Sequence, residues 1–224
     1  MYFQFLIEDK STVLLVDAVM KKLKNKYSEQ TIAYDTKSFS GIGHLTNRGS
    51  FTERKTGGLL NNLKNYSRAF DKALKDIEHA AIIVILDNDN NDIENFKRQI
   101  EQIAKDSMQY TDYAVCIAVK EMEAWLLGDV DAIETAYPNV KKKFIEAYEQ
   151  DSLCDTWQVL AEAIYPGGLK KLRKTAQNSY SEIGKAKCEW ARRIGEQMLL
   201  DNNESPSFQK FVNELQLRIQ AECA

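Results

Sequence analysis

One continuous apolar segment, residues 80–86, constrains the fold more than any other feature of this sequence. Its residues, Ala-Ala-Ile-Ile-Val-Ile-Leu, are rich in β-branched side chains, which is typical of a central parallel strand covered on both faces. The segment stops at Asp87-Asn88-Asp89, and apolar residues then recur at helical spacing, at Ile93, Phe96, Ile100 and Ile103. A strand, an acidic turn and a helix in this order predict an α/β protein.

The same order of elements occurs elsewhere in the first half of the chain. The sequence predicts further strands in residues 2–7, 31–34 and 113–119, and helices from about Ser11 and over about 59–77. Strands that alternate with helices imply crossover connections. We therefore expect a parallel sheet with helices on both faces.

The strand pattern disappears beyond Gly128. Helical spacing is then found over roughly 130–149, 156–164, 169–174, 184–200 and 208–221. The sequence thus predicts an α/β domain over residues 1–128 and a helical C-terminal region, residues 129–224, packed on it.

Bulk properties limit the class of protein. The chain has 224 residues, a formal net charge of −3 and four scattered cysteines, Cys116, Cys154, Cys188 and Cys223. Scattered thiols favour a reducing compartment, and no apolar stretch approaches the ~20 residues that a membrane span needs. Residues 1–10 resemble a first strand more than a secretion signal, so we expect a cytoplasmic protein. The net charge argues against binding nucleic acid through bulk positive charge, but it is compatible with a local basic groove that binds nucleic acid.

Acidic residues follow three of the predicted strands, namely Glu8, the pair Asp87 and Asp89, and the pair Glu121 and Glu123. In open parallel sheets, sites form outside the carboxyl ends of the strands, so these side chains converge if the strands are neighbours. On an extended chain Asp87 and Asp89 would point the same way. Carboxylates in close proximity repel unless a cation lies among them, and hard oxygen ligands favour Mg²⁺ or Mn²⁺. The alternative for each acid is a helix cap or a solvated turn, and it is strongest for Asp89, where a helix begins.

A strand ending in Glu and a second ending in Asp-x-Asp resemble the Toprim domain of topoisomerases, bacterial primases and OLD-family nucleases. The segments Phe5–Thr12, Leu86–Asp89 and Ala118–Leu127 are more closely similar to a Toprim-like family of unknown function in bacteria. Phe39–Leu45 matches a glycine-containing segment of that family, and Lys185–Ile194 matches a lysine-containing one. The resemblance covers most of the chain.

This resemblance implies a Toprim/Rossmann-like fold and a metal-dependent phosphodiester hydrolase that cuts DNA or RNA with Mg²⁺ or Mn²⁺. It implies Glu8 as a general acid/base and metal ligand, Asp87 and Asp89 as metal ligands, and Glu123 as the ligand that completes a second metal site. The family's usual glycine after the first glutamate is Asp9 here, which argues against close phosphate approach at that turn.

Substrate contacts should come from local basic residues. The candidates are Lys10, Lys170, Lys171, Arg173, Lys174, Lys185, Lys187, Arg192 and Arg193. For residues 170–174 a solvated helix face is the favoured interpretation. Lys10, Lys185, Lys187 and Arg192 are the predicted nucleic-acid contacts, and Lys185 is also a catalytic candidate that steadies charge on the reacting phosphate.

Two other functions remain open from the sequence. The acids can hold Mg²⁺ in a regulatory module that binds a nucleotide or phosphate without cutting it. The chain can also be a subunit that works only with a partner ATPase encoded nearby, for example in phage defence, as the resemblance implies. The loop with Gly41 and Gly43 lacks the Lys-Ser/Thr of a P-loop, so it predicts a turn near the active face, and His44 is interpreted as structural or exposed.

Overall fold

A computed structural model describes residues 1–43, 57–177 and 180–221. The predictions for His44, for residues 45–56 of the glycine-containing loop and for Cys223 lie outside the described residues. Within the described part, the strands are β1 (Tyr2–Ile7), β2 (Ala33–Ser38), β3 (Ala80–Asp87) and β4 (Asp112–Ala118). They form a parallel sheet in the order β2-β1-β3-β4, which confirms the predicted α/β class.

The helices precede, connect and follow these strands. They are α1 (Lys10–Lys26), α2 (Leu59–Leu74), α3 (Ile93–Ser107), α4 (Met122–Leu127), α5 (Val130–Ala136), α6 (Lys142–Glu146), α7 (Thr156–Ile164), α8 (Gly168–Ala176), α9 (Tyr180–Gln197) and α10 (Pro206–Ala221). Of these helices, none combines the length and the apolar character needed to cross a lipid bilayer.

Strand β3 is buried along its whole length, as its apolar sequence predicts. Its side chains alternate between two hydrophobic cores, because successive residues of a strand point to opposite faces of the sheet. Ile83 and Ile85 belong to the core that contains α1 and the C-terminal helices, whereas Ile82 and Val84 belong to the core under α2 and α3. Helices therefore cover both faces of the sheet.

The C-terminal helices share a core with the sheet. Trp125 of α4 is fully buried, stacks on Phe211 of α10 with ring centroids 5.2 Å apart, and meets Phe208 edge to face at 5.7 Å. Its indole N–H donates to Ser207 Oγ at 2.8 Å. These contacts fix α10 against the helix that follows β4. The division into residues 1–128 and 129–224 stays a prediction.

Two predicted elements differ from the structure. Strand β2 begins at Ala33 and continues to Ser38, whereas the prediction placed it over 31–34 or slightly beyond. The helix predicted over 130–149 is divided into α5 and α6. Pro138 explains the break, because a proline disfavours helical backbone at the preceding residue, and α5 ends at Ala136.

The four strands are parallel, so their carboxyl ends lie at one edge of the sheet. The chain leaves β1 toward β2 on one side and leaves β3 toward β4 on the other. The gap between β1 and β3 is therefore a topological switch point, the place where open α/β sheets bind ligands.

Candidate metal centre

Glu8 and Asp87 meet at this switch point. Glu8 directly follows β1, and Asp87 is the last residue of β3, its neighbour in the sheet. The Asp87 backbone N–H donates to Glu8 Oε2 at 3.0 Å. This bond places the Glu8 carboxylate against the backbone of Asp87, and the charge of Glu8 contributes to the raised pKa of the Asp87 carboxyl.

Asp87 is almost completely buried, with 9% of its surface exposed. Its Oδ1 accepts a hydrogen bond from the Met122 N–H at 2.8 Å, which links the end of β3 to the start of α4. Burial, followed by the charges of Glu8, Asp9 and Glu123, raises the pKa of the Asp87 carboxyl well above its ordinary value. The site thus strongly disfavours a negative charge that has no counter-ion.

Burial and nearby negative charges also raise the pKa of two neighbouring carboxyls. Burial and then the charges of Asp9 and Asp89 raise the pKa of Glu8 to about 7, although the Asp87 N–H opposes the shift. Burial raises the pKa of Glu123 to about 7, although Lys187 opposes it. Several carboxyls whose ionised forms are disfavoured in one place are a marker of functional sites.

Lys187 of α9 is the cation that faces these acids. Its Nζ lies 3.1 Å from Oε1 of Glu123, which is completely buried, and 20% of the lysine side chain is exposed. Within the described residues, Glu123 Oε2 has no hydrogen-bond donor. Burial alone lowers the pKa of Lys187, but the charges of Glu123 and Asp87 raise it overall, so the ammonium stays charged. The sequence predicted Lys187 as a nucleic-acid contact, whereas the structure places it as a counter-ion inside the acidic cluster.

Asp89 does not continue strand β3. It is exposed and has a left-handed backbone with φ of 49°, and its N–H donates to the Lys120 carbonyl at 2.8 Å. The chain is therefore not extended at Asp89, although the predicted alignment of the Asp87 and Asp89 side chains required it to be. The cap of α3 is Asp92, whose Oδ1 accepts the Asn95 N–H at 2.8 Å. Burial and then the charge of Glu121 raise the pKa of Asp89. Asp89 therefore interacts with the other acids at the carboxyl ends of the strands, which we call the acidic edge (Glu8, Asp9, Asp87, Asp89, Glu121 and Glu123).

Asp9, next to Glu8 at the acidic edge, caps the N-terminus of helix α1. Its Oδ1 accepts the Thr12 N–H at 2.7 Å and the Ser11 hydroxyl at 2.9 Å, which caps helix α1. Asp9 is thus an N-cap, a position that aspartate favours.

Cys154, just before α7, and Thr156, the first residue of α7, contact the acidic edge. The Cys154 thiol donates to the Asp89 carbonyl at 3.3 Å, and the Thr156 hydroxyl donates to Glu121 Oε2 at 2.7 Å. Glu121 is thereby tied to α7, a role that its place after a strand did not predict.

The remaining predicted residues lie outside this cluster. Lys185 is exposed and pairs with Glu182 at 2.5 Å. Arg192 pairs with Glu189 at 3.0 Å and with Glu196 at 3.4 Å. Lys10 is exposed at the start of α1. The structure therefore brings Glu8, Asp87 and Glu123 together with Lys187 and does not bring Lys185 or Arg192 to them.

The donors at this edge are carboxylate oxygens, which suit Mg²⁺ or Mn²⁺. The unpartnered Oε2 of Glu123 and the raised pKa values of Glu8 and Asp87 fit a place that receives positive charge. Among the residues that the structure describes, no three His, Cys, Asp or Glu side chains already form a ligand set. Metal binding at this edge stays a prediction.

The fold and site define a parallel α/β protein with an acidic cluster at its topological switch point. The model of a family described as "Domain of unknown function (DUF4276)" matches residues 7–216, so the chain belongs to that family. A solved structure of the C-terminal region of the Xanthomonas campestris pv. campestris OLD protein is similar at 12% identity, with a TM-score of 0.47. That match covers 98% of this chain and 96% of the other. No curated protein matches the chain.

Proposed function

We propose that the protein is a metal-dependent phosphodiester hydrolase that acts on DNA or RNA. The observation that supports this proposal most is the hydrogen bond from the Asp87 backbone N–H to the Glu8 carboxylate at the switch point of the sheet, in a place where burial raises the pKa of both carboxyls. The resemblance of these residues to Toprim sequences is in line with it.

Glu8, Asp87 and Asp89 are the residues that would hold a divalent ion, with Glu123 beside them. When bound, Mg²⁺ or Mn²⁺ supplies a Lewis acid and lowers the pKa of a coordinated water. Asp87 is held in position by the Met122 N–H, so its place at the end of β3 does not depend on the ion.

Glu8 is the proposed general acid/base. In the metal-free protein the pKa of the Glu8 carboxyl is about 7, and a divalent ion beside it would favour the ionised form, which can accept a proton from the attacking water and later donate it to the leaving oxygen. Lys187 keeps a positive charge beside Glu123 and limits the repulsion within the cluster. The role of Lys185 in steadying the phosphate stays a prediction, as do a partner ATPase and a task in phage defence.

The proposal predicts that the protein cuts supercoiled plasmid or single-stranded RNA in the presence of Mg²⁺ or Mn²⁺ and stops when EDTA is added. Gel electrophoresis of time courses with each substrate measures this directly. Cleavage that persists in EDTA, or the absence of cleavage with either metal on both substrates, would contradict the proposal.

A further inference from the structure

Helix α8 concentrates positive charge on a chain whose formal net charge is −3. Its sequence, Gly-Leu-Lys-Lys-Leu-Arg-Lys-Thr-Ala, contains Lys170, Lys171, Arg173 and Lys174 and no acidic residue. All four cationic side chains belong to exposed residues. A local basic helix on an otherwise acidic protein indicates a surface for a polyanion.

These cations are also available to a partner. In the described ranges, Lys170, Lys171 and Lys174 take part in no ion pair, and Arg173 contacts the neutral side chain of Gln158 at 2.9 Å. The basic residues of α9 differ, because Lys185 and Arg192 are already paired with glutamates. The positive charge of α8 is therefore not neutralised by ion pairs with the residues that the structure describes.

Helix α8 is connected to the acidic edge by a short path of contacts. The Arg173 guanidinium lies 6.0 Å from the centre of the Trp157 ring, and the Trp157 N–H donates to Asp155 Oδ1 at 3.2 Å. Thr156, which lies between Asp155 and Trp157 in the sequence, donates its hydroxyl hydrogen to the Glu121 carboxylate in the acidic edge. Helix α7 therefore lies between α8 and the acidic edge and contacts both.

The burial of the apolar face of α8 indicates whether this surface suits a membrane, a partner helix or a nucleic acid. A basic amphipathic helix that binds a membrane or a partner helix needs an exposed apolar face. In α8 that face is used inside the protein, since Leu172 and Ala176 are buried with 1% and 3% of their surface exposed. The exposed residues of α8 are its four cations, Thr175 and no large apolar side chain, and a row of cations matches the repeated phosphates of a nucleic-acid backbone.

We propose that α8 binds the sugar-phosphate backbone of the nucleic acid and guides one strand toward the acidic cluster. This inference rests on the proposed function. The contacts are to phosphates, so they give affinity and position without sequence specificity.

The test compares two charge-reversed double variants with identical spacing. Lys170→Glu with Lys174→Glu changes α8, whereas Arg68→Glu with Lys72→Glu changes two exposed residues of α2, which packs against the opposite face of the sheet. Fluorescence anisotropy with labelled single-stranded DNA and RNA oligonucleotides, in EDTA, measures binding separately from cleavage. Thermal unfolding shows whether each variant is folded, and Lys170→Gln with Lys174→Gln gives a milder change at the same positions.

The α8 variant should bind at least about tenfold more weakly than the parent near 0.1 M salt, and its plot of log affinity against log salt should be shallower by about 1.4, the value for two lost phosphate contacts on a single strand. The α2 variant should stay within about twofold. Equal losses in both variants, an unchanged α8 variant, or a parent that binds neither oligonucleotide would overturn the inference. A parent that binds but never cuts with metal contradicts the proposed hydrolase while leaving the α8 surface in place.

Discussion

Asp87→Asn is expected to reduce metal-dependent cleavage by more than about 100-fold. Substituting a residue that only supports a metal ligand typically lowers activity by about 10–100-fold, and the loss should be larger for a ligand itself. The change removes the carboxyl that would ionise to ligate a divalent ion at the switch point, beside Glu8. Asparagine keeps the shape of the side chain and an oxygen that can accept the Met122 N–H. The variant should therefore fold normally and lose activity alone, as measured by initial rates of plasmid and RNA cleavage.

Asp92→Asn is the matched control for this variant. Asp92 is an exposed carboxylate that follows the same strand and caps α3, and asparagine caps helices about as well. Cleavage by this variant should stay close to that of the parent. If Asp87→Asn cuts at the parental rate, or if both variants lose activity equally, the assignment of Asp87 as a metal ligand is wrong.

Lys187→Met is expected to destabilise the fold by about 3 kcal/mol, because removing one partner of a buried ion pair typically costs 3–5 kcal/mol and this lysine is partly exposed. The loss arises chiefly from Glu123, which without its counter-ion is either a buried uncompensated charge or a carboxyl that has taken up a proton, and both cost free energy at neutral pH. Methionine retains most of the apolar stem, so the packing of α9 should change little. Urea denaturation at neutral pH without divalent metal measures the free energy of unfolding.

A second substitution separates charge from packing in this experiment. Adding Glu123→Gln to Lys187→Met removes the uncompensated charge, so the double variant should regain at least about 1 kcal/mol relative to Lys187→Met alone. A double variant that is no more stable than the single one would show that Lys187 acts through packing. It would contradict its role as the counter-ion of the acidic cluster.

Strand β3 illustrates what could be predicted from the sequence. An unbroken apolar run has to be covered on both faces, and this requirement alone places it inside a parallel sheet. Glu8 and Asp87 followed from the same pattern, because each stands where an apolar run stops. Their contact could be expected only under the condition that β1 and β3 are neighbours, since strand order depends on long-range pairing.

The turn after β3 could not be predicted from alternation. Strand geometry ends at Asp87, and the Asn88 and Asn91 side chains each donate to the other's backbone carbonyl, at 2.9 Å and 2.8 Å. These bonds stabilise a turn in which Asp89 has a left-handed backbone. Asparagine and aspartate both favour such turns, so the composition of the segment carried this information.

The two lysines of α9 illustrate the limit of a resemblance. The sequence assigned a catalytic role to Lys185, yet Lys187 is the residue that faces the acids. Lys187 stands four positions after Ile183 and three before Trp190, on the apolar side of the helix. A lysine on the buried side of an amphipathic helix needs a partner, and this spacing was the signal that indicated a buried ion pair.

The central claim is that the carboxylates at the switch point hold a divalent cation. Electron paramagnetic resonance of Mn²⁺ added to the metal-free protein, with the parent compared with Asp87→Asn, tests it most directly. The account predicts at least one bound Mn²⁺ per parent chain, displaced by excess Mg²⁺, and weak or absent binding in the variant. A parent that binds no Mn²⁺, or a variant that binds it as tightly as the parent, would contradict the account.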